Sequence, residues 1–403
     1  MGLNINKIRE DFDILKKKIN NKPITYLDSA CVSLKPRQVV EKINSYYNEF
    51  TACGGRSMHR FGNRVTDEVE KSRGVIKKFI NSKKENEIIF TRNSTEGLNI
   101  VTKSLELKKG DKIIQTDKEH NSSLLPCLVL KENGVLHEIV KSNDDNTFNL
   151  ENFENKMDKS VKLVSVVHTS NLDGVTNPVK EIIKIAHDHN ALVLLDSAQS
   201  VPHKDIDVKN LDVDFMAFSG HKMLGSSGTG ILYGKEHLLN GFKPFLIGGE
   251  TVTDSTYNSY TLEKIPHRFE AGLQNYAGIM GLGEAAKYLM RIGKSNIEKH
   301  ETNLNKRITE KLIDDVKIIG PEDSSLRGGV FNFNIEKTDP HELALMLDES
   351  ENVMIRSGAH CVHSWYNAHN LDGSARATLY FYNTEEEVDR FVEAVKKVSK
   401  LLL

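Results

Sequence analysis

Strands and helices alternate along most of this chain, and reactive side chains collect where the strands end. Apolar runs at 87–91, 112–115, 135–140, 161–168, 191–196 and 214–219 read as strands. The segments 96–105 and 179–190 between them read as helices, the latter opening after Pro178. Such alternation predicts a mostly parallel sheet covered by helices. Binding groups then gather at the carboxyl ends of the strands. Asp196, Ser219 and Asn171 all lie at or just past such ends.

Beyond about residue 295 the pattern changes. A charged helix at 296–314 precedes a strand at 329–335, a helix at 341–349 and a strand at 353–356. A strand near 377–381 and a helix at 385–401 close the chain. We expect a large domain over 41–294 and a smaller α+β domain over 295–403, with residues 1–40 packing on the smaller one.

Composition narrows the partners. A net charge of −2 over 403 residues gives no bulk electrostatic reason to bind nucleic acid or a membrane surface. No apolar run approaches the ~20 residues that span a bilayer. Residues 1–18 are polar and charged, unlike a secretory signal. The four cysteines, Cys31, Cys53, Cys127 and Cys361, form no C-x-x-C pair and no disulfide framework. No metal site is expected, and a cytoplasmic protein with free thiols is. Cys31, Cys53 and Cys127 have apolar or weakly basic surroundings and read as structural.

The chemistry centres on Lys222, in Ser219-Gly220-His221-Lys222. An acid at one strand end, Asp196, and a lysine after the next suit pyridoxal phosphate. Lysine offers an amine for a Schiff base. A carboxylate keeps the pyridine nitrogen protonated, so the ring can accept electrons. Thr91-Arg92-Asn93-Ser94-Thr95-Glu96-Gly97 links a strand to a helix, and free N–H groups there form an anion site to which Thr95 adds a hydroxyl. Ser219 and His221 could donate to the same phosphate. His120 sits at the same sheet edge, where it can stack on the ring and shuttle protons. Asn171 and Gln199 could bond the ring hydroxyl. Cys361 lies in a loop with Arg356, His360 and His363, the basic setting of a reactive thiol. Arg376 can clamp a substrate carboxylate. The aromatic pair Trp365-Tyr366 beside Cys361 offers either a docking surface or core packing.

In this order, these residues resemble the cysteine desulfurases, a class V branch of the fold-type I pyridoxal phosphate enzymes, and most closely the group II or SUF-type members. The motifs are Tyr26-Leu27-Asp28-Ser29-Ala30, Phe90-Thr91-Arg92-Asn93-Ser94-Thr95-Glu96, Glu119-His120-Asn121, His168-Thr169-Ser170-Asn171 and Asp196-Ser197-Ala198-Gln199. Ser219-Gly220-His221-Lys222, Arg268-Phe269-Glu270-Ala271-Gly272, Arg356-x-Gly358-x-His360-Cys361 and Ala375-Arg376-Ala377 follow. The resemblance implies a large domain with a mostly parallel seven-stranded sheet. It implies Lys222 as the Schiff-base lysine, Asp196 at the pyridine nitrogen, Gln199 at the ring hydroxyl and His120 stacked on the ring. Thr95, Ser219, His221 and backbone N–H groups near Glu96 would bind phosphate. Asn171 and Arg376 would hold the carboxylate of L-cysteine, and Cys361 would accept its sulfur as a persulfide for a protein acceptor or scaffold, as in iron–sulfur cluster assembly. A homodimer is implied as well. Selenocysteine lyase and class V aminotransferase are the alternatives on this fold, and a scaffold without turnover is the alternative of another kind. Where the family carries a threonine that reaches the partner subunit's phosphate, this chain has Leu273.

Overall fold

The computed structural model describes residues 3–402, so the expected domain limits at Met1 and Leu403 fall outside it. Two amphipathic helices, α1 (Arg37–Glu49) and α2 (Arg60–Phe79), precede the sheet. Seven strands then form one layer: β1 (Ile88–Thr91), β2 (Lys112–Thr116), β3 (Leu136–Val140), β4 (Val161–Val167), β5 (Leu192–Asp196), β6 (Phe215–Ser219) and β7 (Gly230–Gly234). Their spatial order is β1-β7-β6-β5-β4-β2-β3. All neighbours are parallel except β7, which runs antiparallel to both β1 and β6. Burial on both faces explains why β5 and β6 are continuous apolar runs without alternation.

The strand β7 is absent from the six apolar runs read off the sequence. It opens on Gly230, in a glycine-rich stretch that reads as a loop. A side chain at Gly230 would come within 2.6 Å of the Asn93 Cα, so the bare backbone lets the β1–helix turn settle against β7. The strand is there because that turn must be close.

Three helices pack around the large sheet's site edge: α3 (Ser94–Ser104), α4 (Asn121–Lys131) and α5 (Val179–Asp188). Helix α6 (Tyr276–Ile292) covers α1 and α2 and leads into α7 (Lys294–Leu312). A second, four-stranded antiparallel sheet follows, including β8 (Val330–Asn334), β9 (Arg356–Gly358) and β10 (Ser374–Thr378). Helices α8 (Pro340–Glu351) and α9 (Glu385–Leu402) flank it.

Two strand expectations here are corrected. The run at 353–356 is two strands: Val353–Met354 pairs in parallel with Thr25–Tyr26, and β9 pairs with β10. The last strand ends at Thr378, three residues before its expected end, and Arg376 lies within it. Its register is set by β8, with Val330 opposite Thr378. The apolar residues beyond leave the sheet: Tyr380, Phe381 and Tyr382 are buried in the core of the large layer. The N-terminal segment bridges the two layers. Leu27 is buried with the small sheet, whereas Phe12 packs edge-on against Tyr288 in the large core, centroids 6.1 Å apart.

Glu270, part of the Arg268-Phe269-Glu270 motif, has a structural task. Both its oxygens accept from the Arg73 guanidinium, at 2.7 and 3.0 Å, and one also accepts from the Phe90 N–H at 2.7 Å. Arg73 further donates to the Ile88 carbonyl. The pair therefore pins α2 and the 267–272 turn to β1, just ahead of the phosphate turn. Both residues are buried, and without Glu270 the guanidinium keeps only the partly exposed Glu70 carboxylate, 3.1 Å from its Nε. Glu270→Gln is expected to cost about 3–5 kcal/mol. An unfolding midpoint in urea within error of the parent would contradict this.

Candidate active site

Lys222 ends the tight turn Gly220–Lys222 that caps β6. A side chain at Gly220 would come within 2.2 Å of the Thr229 hydroxyl, so glycine is required for the turn to fold back. Among the described residues the Lys222 amine has no hydrogen-bond or ion-pair partner. Burial, opposed by Asp196 and reinforced by Arg376, holds its ammonium below the usual lysine range. A lysine so placed is poised as a nucleophile.

Asp196, the last residue of β5, is buried. One of its oxygens accepts from the Ala198 N–H at 3.0 Å, and no partner among the described residues takes the other. Burial raises its pKa and the Lys222 charge opposes that rise. This is a carboxylate in want of a cationic N–H. Gln199 is fixed by donating to the Ala30 carbonyl at 2.7 Å.

At the head of α3, Asn93 caps the helix and takes the Glu96 N–H at 3.0 Å. The Glu96 N–H, expected among the free phosphate donors, is thus already engaged. The Glu96 carboxylate closes on the Arg92 N–H at 2.6 Å. Ser94, which the sequence reading left without a role, donates its N–H to the Ser219 hydroxyl at 2.9 Å. Thr95 is exposed and shares a 2.7 Å hydrogen bond with Ser122. The hydroxyls of Ser219 and Thr95 thus frame the head of the helix. His221 is half-buried and held neutral, at about 4, by burial and by Lys222 and Lys35.

His120 caps α4, its Nδ1 accepting from the Ser122 N–H at 3.0 Å. That bond places the ring proton on Nε2. Burial, then Lys222 and Arg376, push its pKa down to about 3. The next N–H, of Asn121, donates to the Cys361 carbonyl at 2.8 Å, and the Asn121 side chain meets His363 Nδ1 at 3.0 Å. The Cys361 loop is therefore clamped onto the His120 turn. It reaches there through left-handed backbone at Gly358, His360 and Cys361, with φ of 103°, 48° and 61°. The His360 carbonyl accepts from Asn171 at 2.8 Å, and the Asn171 carbonyl accepts from Arg376 at 2.6 Å.

The structure gathers Asp196, His120, Arg376 and Cys361 around Lys222, within reach of its charge, and Asn171 joins them through its carbonyl on Arg376. Several neighbours there differ from expectation. His360 is not a cationic neighbour of Cys361: burial, then Arg376 and Arg356, push it down to about 2, and it bonds the Ser374 hydroxyl at 3.0 Å. Trp365 is buried and stacked on His369 at 4.0 Å, so it packs the small layer and offers no docking face. Cys31 is half-exposed in the cleft, and Arg356 donates to its sulfur at 2.8 Å. Asp28 lies 3.8 Å from Arg376. Its signal was present in the Asp28-Ser29-Ala30 motif, which carried no assigned role.

A model of the family described as aminotransferase class-V matches residues 25–391. The chain belongs to that family. Within it, the chain is 39% identical over 396 residues to a probable cysteine desulfurase from Synechocystis sp., covering 96% of this chain and 94% of the relative. It is 37% identical over 409 residues to a cysteine desulfurase from Escherichia coli, covering the whole of both. The apo structure of a cysteine desulfurase from Thermococcus onnurineus NA1 superposes with a TM-score of 0.94 at 37% identity, covering 99% of each chain. This class-V chain is thus similar end to end to cysteine desulfurases, and its seven-stranded sheet is the fold expected of them.

The two buried histidines of this class-V fold carry a pH consequence. His168 is held at about 3, by burial and then Lys204, and His360 at about 2. Both would protonate near 6.5 once unfolded, so the unfolded chain takes up protons that the folded one refuses. Stability is fully present above that value and falls with pH below it, by about 1.4 kcal/mol per pH unit for each histidine. The urea midpoint is expected to drop between about pH 7 and pH 5, because the two histidines outweigh the buried Glu119, whose carboxyl is raised to about 7 and pulls the other way. A flat midpoint across that range would contradict it.

Proposed function

We propose that this protein is a pyridoxal phosphate-dependent cysteine desulfurase that converts L-cysteine to L-alanine and leaves the sulfur as a persulfide on Cys361. The observation that carries the reading is the clamp of the Cys361 loop onto the His120 turn, in the cleft that holds the unpaired Lys222 and the half-paired Asp196. These residues fit the cofactor. The Lys222 amine would hold it covalently, and the free oxygen of Asp196 would meet the pyridine N–H. Gln199 would face the ring hydroxyl, and His120 would lie on the ring. Ser219, Thr95, His221 and the N–H groups ahead of Glu96 would take the phosphate. When bound, pyridoxal phosphate supplies an electron sink for the pair left on the substrate carbon.

The chain's own groups do the rest. Arg376 and Asn171 hold the substrate carboxylate, with Arg376 oriented by the Asn171 carbonyl. The Lys222 amine would take the Cα proton of the bound substrate and carry it on. His120, neutral with its proton on Nε2, is placed to pass a proton within the cleft. Cys361 attacks the substrate sulfur; the carbon–sulfur bond breaks with its electron pair left on the carbon, which takes up the proton lost by Cys361, and alanine leaves.

The group II subtype is supported by the order of motifs around Lys222 and Cys361. A homodimer is supported by the exposure of Met58, Phe61 and Leu273, which a partner would cover. Delivery to a protein acceptor, including iron–sulfur cluster assembly, follows from a persulfide that must be discharged each cycle. Free thiols at all four cysteines suit a cytoplasmic setting. Among the described residues no helix is long and apolar enough to cross a membrane.

The test is product analysis of the loaded enzyme with L-cysteine and a reductant. Alanine and sulfide in equal amounts are expected. Pyruvate with ammonia, or amino transfer to a keto acid, would contradict the reading.

A further inference from the structure

We propose that Tyr366 is a positioning residue for the sulfur-transfer step, its hydroxyl fixing the Cys361 loop relative to the groups that hold the substrate carboxylate. The proposal rests on the reading of Cys361 as the sulfur acceptor and says what aims it.

The Cys361 loop needs such a hold. His360 and Cys361 are not glycines, yet both take left-handed backbone, with φ of 48° and 61°. Such backbone persists only where its surroundings over-determine it. The main chain is held by Asn121 at the Cys361 carbonyl and by Asn171 at the His360 carbonyl. The His360 ring is held separately. Its Nε2 meets the Ser374 hydroxyl at 3.0 Å. Ser374 opens β10, and its hydroxyl also meets that of Tyr366. Tyr366 lies on the short helix His363–Ala368, which begins two residues after Cys361. From β8, the Asn332 side-chain amide donates to the Tyr366 hydroxyl at 3.2 Å.

The same amide closes a circuit. It also donates to the Leu172 carbonyl, at 2.8 Å. Leu172 adjoins Asn171, whose side chain holds the His360 carbonyl and whose own carbonyl orients Arg376. Asn332 stands opposite Arg376 in the β8–β10 register. One ring of hydrogen bonds therefore runs from the carboxylate clamp through Asn332, Tyr366 and Ser374 to the residue before Cys361, and back through Asn171. All of these side chains are buried.

The protons give the circuit a direction. An amide N–H only donates, so the Tyr366 oxygen accepts from Asn332. The Tyr366 proton then goes to Ser374, and the Ser374 proton to His360. The reverse order would leave the buried Tyr366 O–H without an acceptor. Tyr366 thus sets which way the Ser374 hydroxyl points. Phenylalanine at 366 would keep the ring's packing and break the circuit at that one place.

The test runs two reactions on the same cofactor-loaded enzyme. One is alanine formation from L-cysteine with a reductant, which needs Cys361. The other is exchange of the Cα proton of L-alanine with deuterium from solvent, which needs the cofactor and Lys222 but no thiol. Tyr366→Phe is expected to lower kcat of the first by about 100-fold, the scale on which a misplacement of about 1 Å acts, with KM and the exchange rate unchanged. Ser374→Ala is expected to do the same. The double variant should be no slower than Ser374→Ala alone, because the two hydroxyls act in series. If Tyr366→Phe yields no folded protein, Ser374→Ala decides by the same two rates. A merely structural network would slow exchange and sulfur transfer together, and that result would overturn the proposal. So would undiminished sulfur transfer, or a raised KM with kcat intact. A parent chain that exchanges the L-alanine proton but makes no alanine from L-cysteine would instead sink the desulfurase reading itself.

Discussion

Replacing Lys222 with alanine is expected to abolish covalent attachment of the cofactor and to lower turnover of L-cysteine by at least ~10⁴-fold. Two tasks are lost together, the amine that fixes the cofactor and the base that takes the Cα proton. No neighbour can stand in. Lys35, whose charge reaches the adjacent His221, is tied to the Ser33 and His221 carbonyls. The Lys222 amine, by contrast, has no partner among the described residues and is pushed by burial and Arg376 toward its neutral form. Borohydride reduction reads the first task directly. It should fix the cofactor to the parent chain and leave Lys222→Ala unlabelled. Cofactor fixed to the variant would show that another amine serves.

Cys361→Ser is expected to split the two halves of the reaction. A hydroxyl cannot carry a sulfane sulfur, so sulfide release should fall by at least ~10³-fold, the scale on which removal of a covalent nucleophile acts. The contacts that build the cofactor site do not pass through its sulfur. The loop is held by its backbone, through the Asn121 N–H to the Cys361 carbonyl and Asn171 to the His360 carbonyl. Cofactor fixation by borohydride should therefore persist in the variant. Loss of both together would mean that the thiol supports the site's structure, and would remove it from the chemistry.

Much of this was legible in the sequence, for reasons that can be stated. Strands buried on both faces leave mostly apolar runs, which is why five of the seven were visible, while the partly exposed edge strand Leu136–Val140 showed through its β-branched and aliphatic residues. A parallel sheet then sends its strand ends to one edge, so Asp196 and Ser219 could be placed before any contact was known. What stayed hidden depended on partners distant in sequence. The strand Gly230–Gly234 looks like a loop because its first glycine answers to Asn93, on the neighbouring strand's turn. The strand at 374–378 was shifted because the apolar run that follows it serves the core of the other layer. Glu270 stood in a motif without a role until Arg73, nearly two hundred positions away, supplied one. His360 looked cationic beside Cys361, but burial decides its charge. Cys31 has bland neighbours in sequence and an arginine in space.

The central claim is that sulfur passes from L-cysteine to Cys361. Following L-cysteine labelled at sulfur into peptides of the loaded enzyme tests it most directly. The label is expected on the Cys361 peptide within the first turnover, with an equal amount of alanine released, and nowhere on the chain in Cys361→Ser. Label retained at another residue of that variant, or alanine formed with no sulfur ever reaching Cys361, would contradict the account.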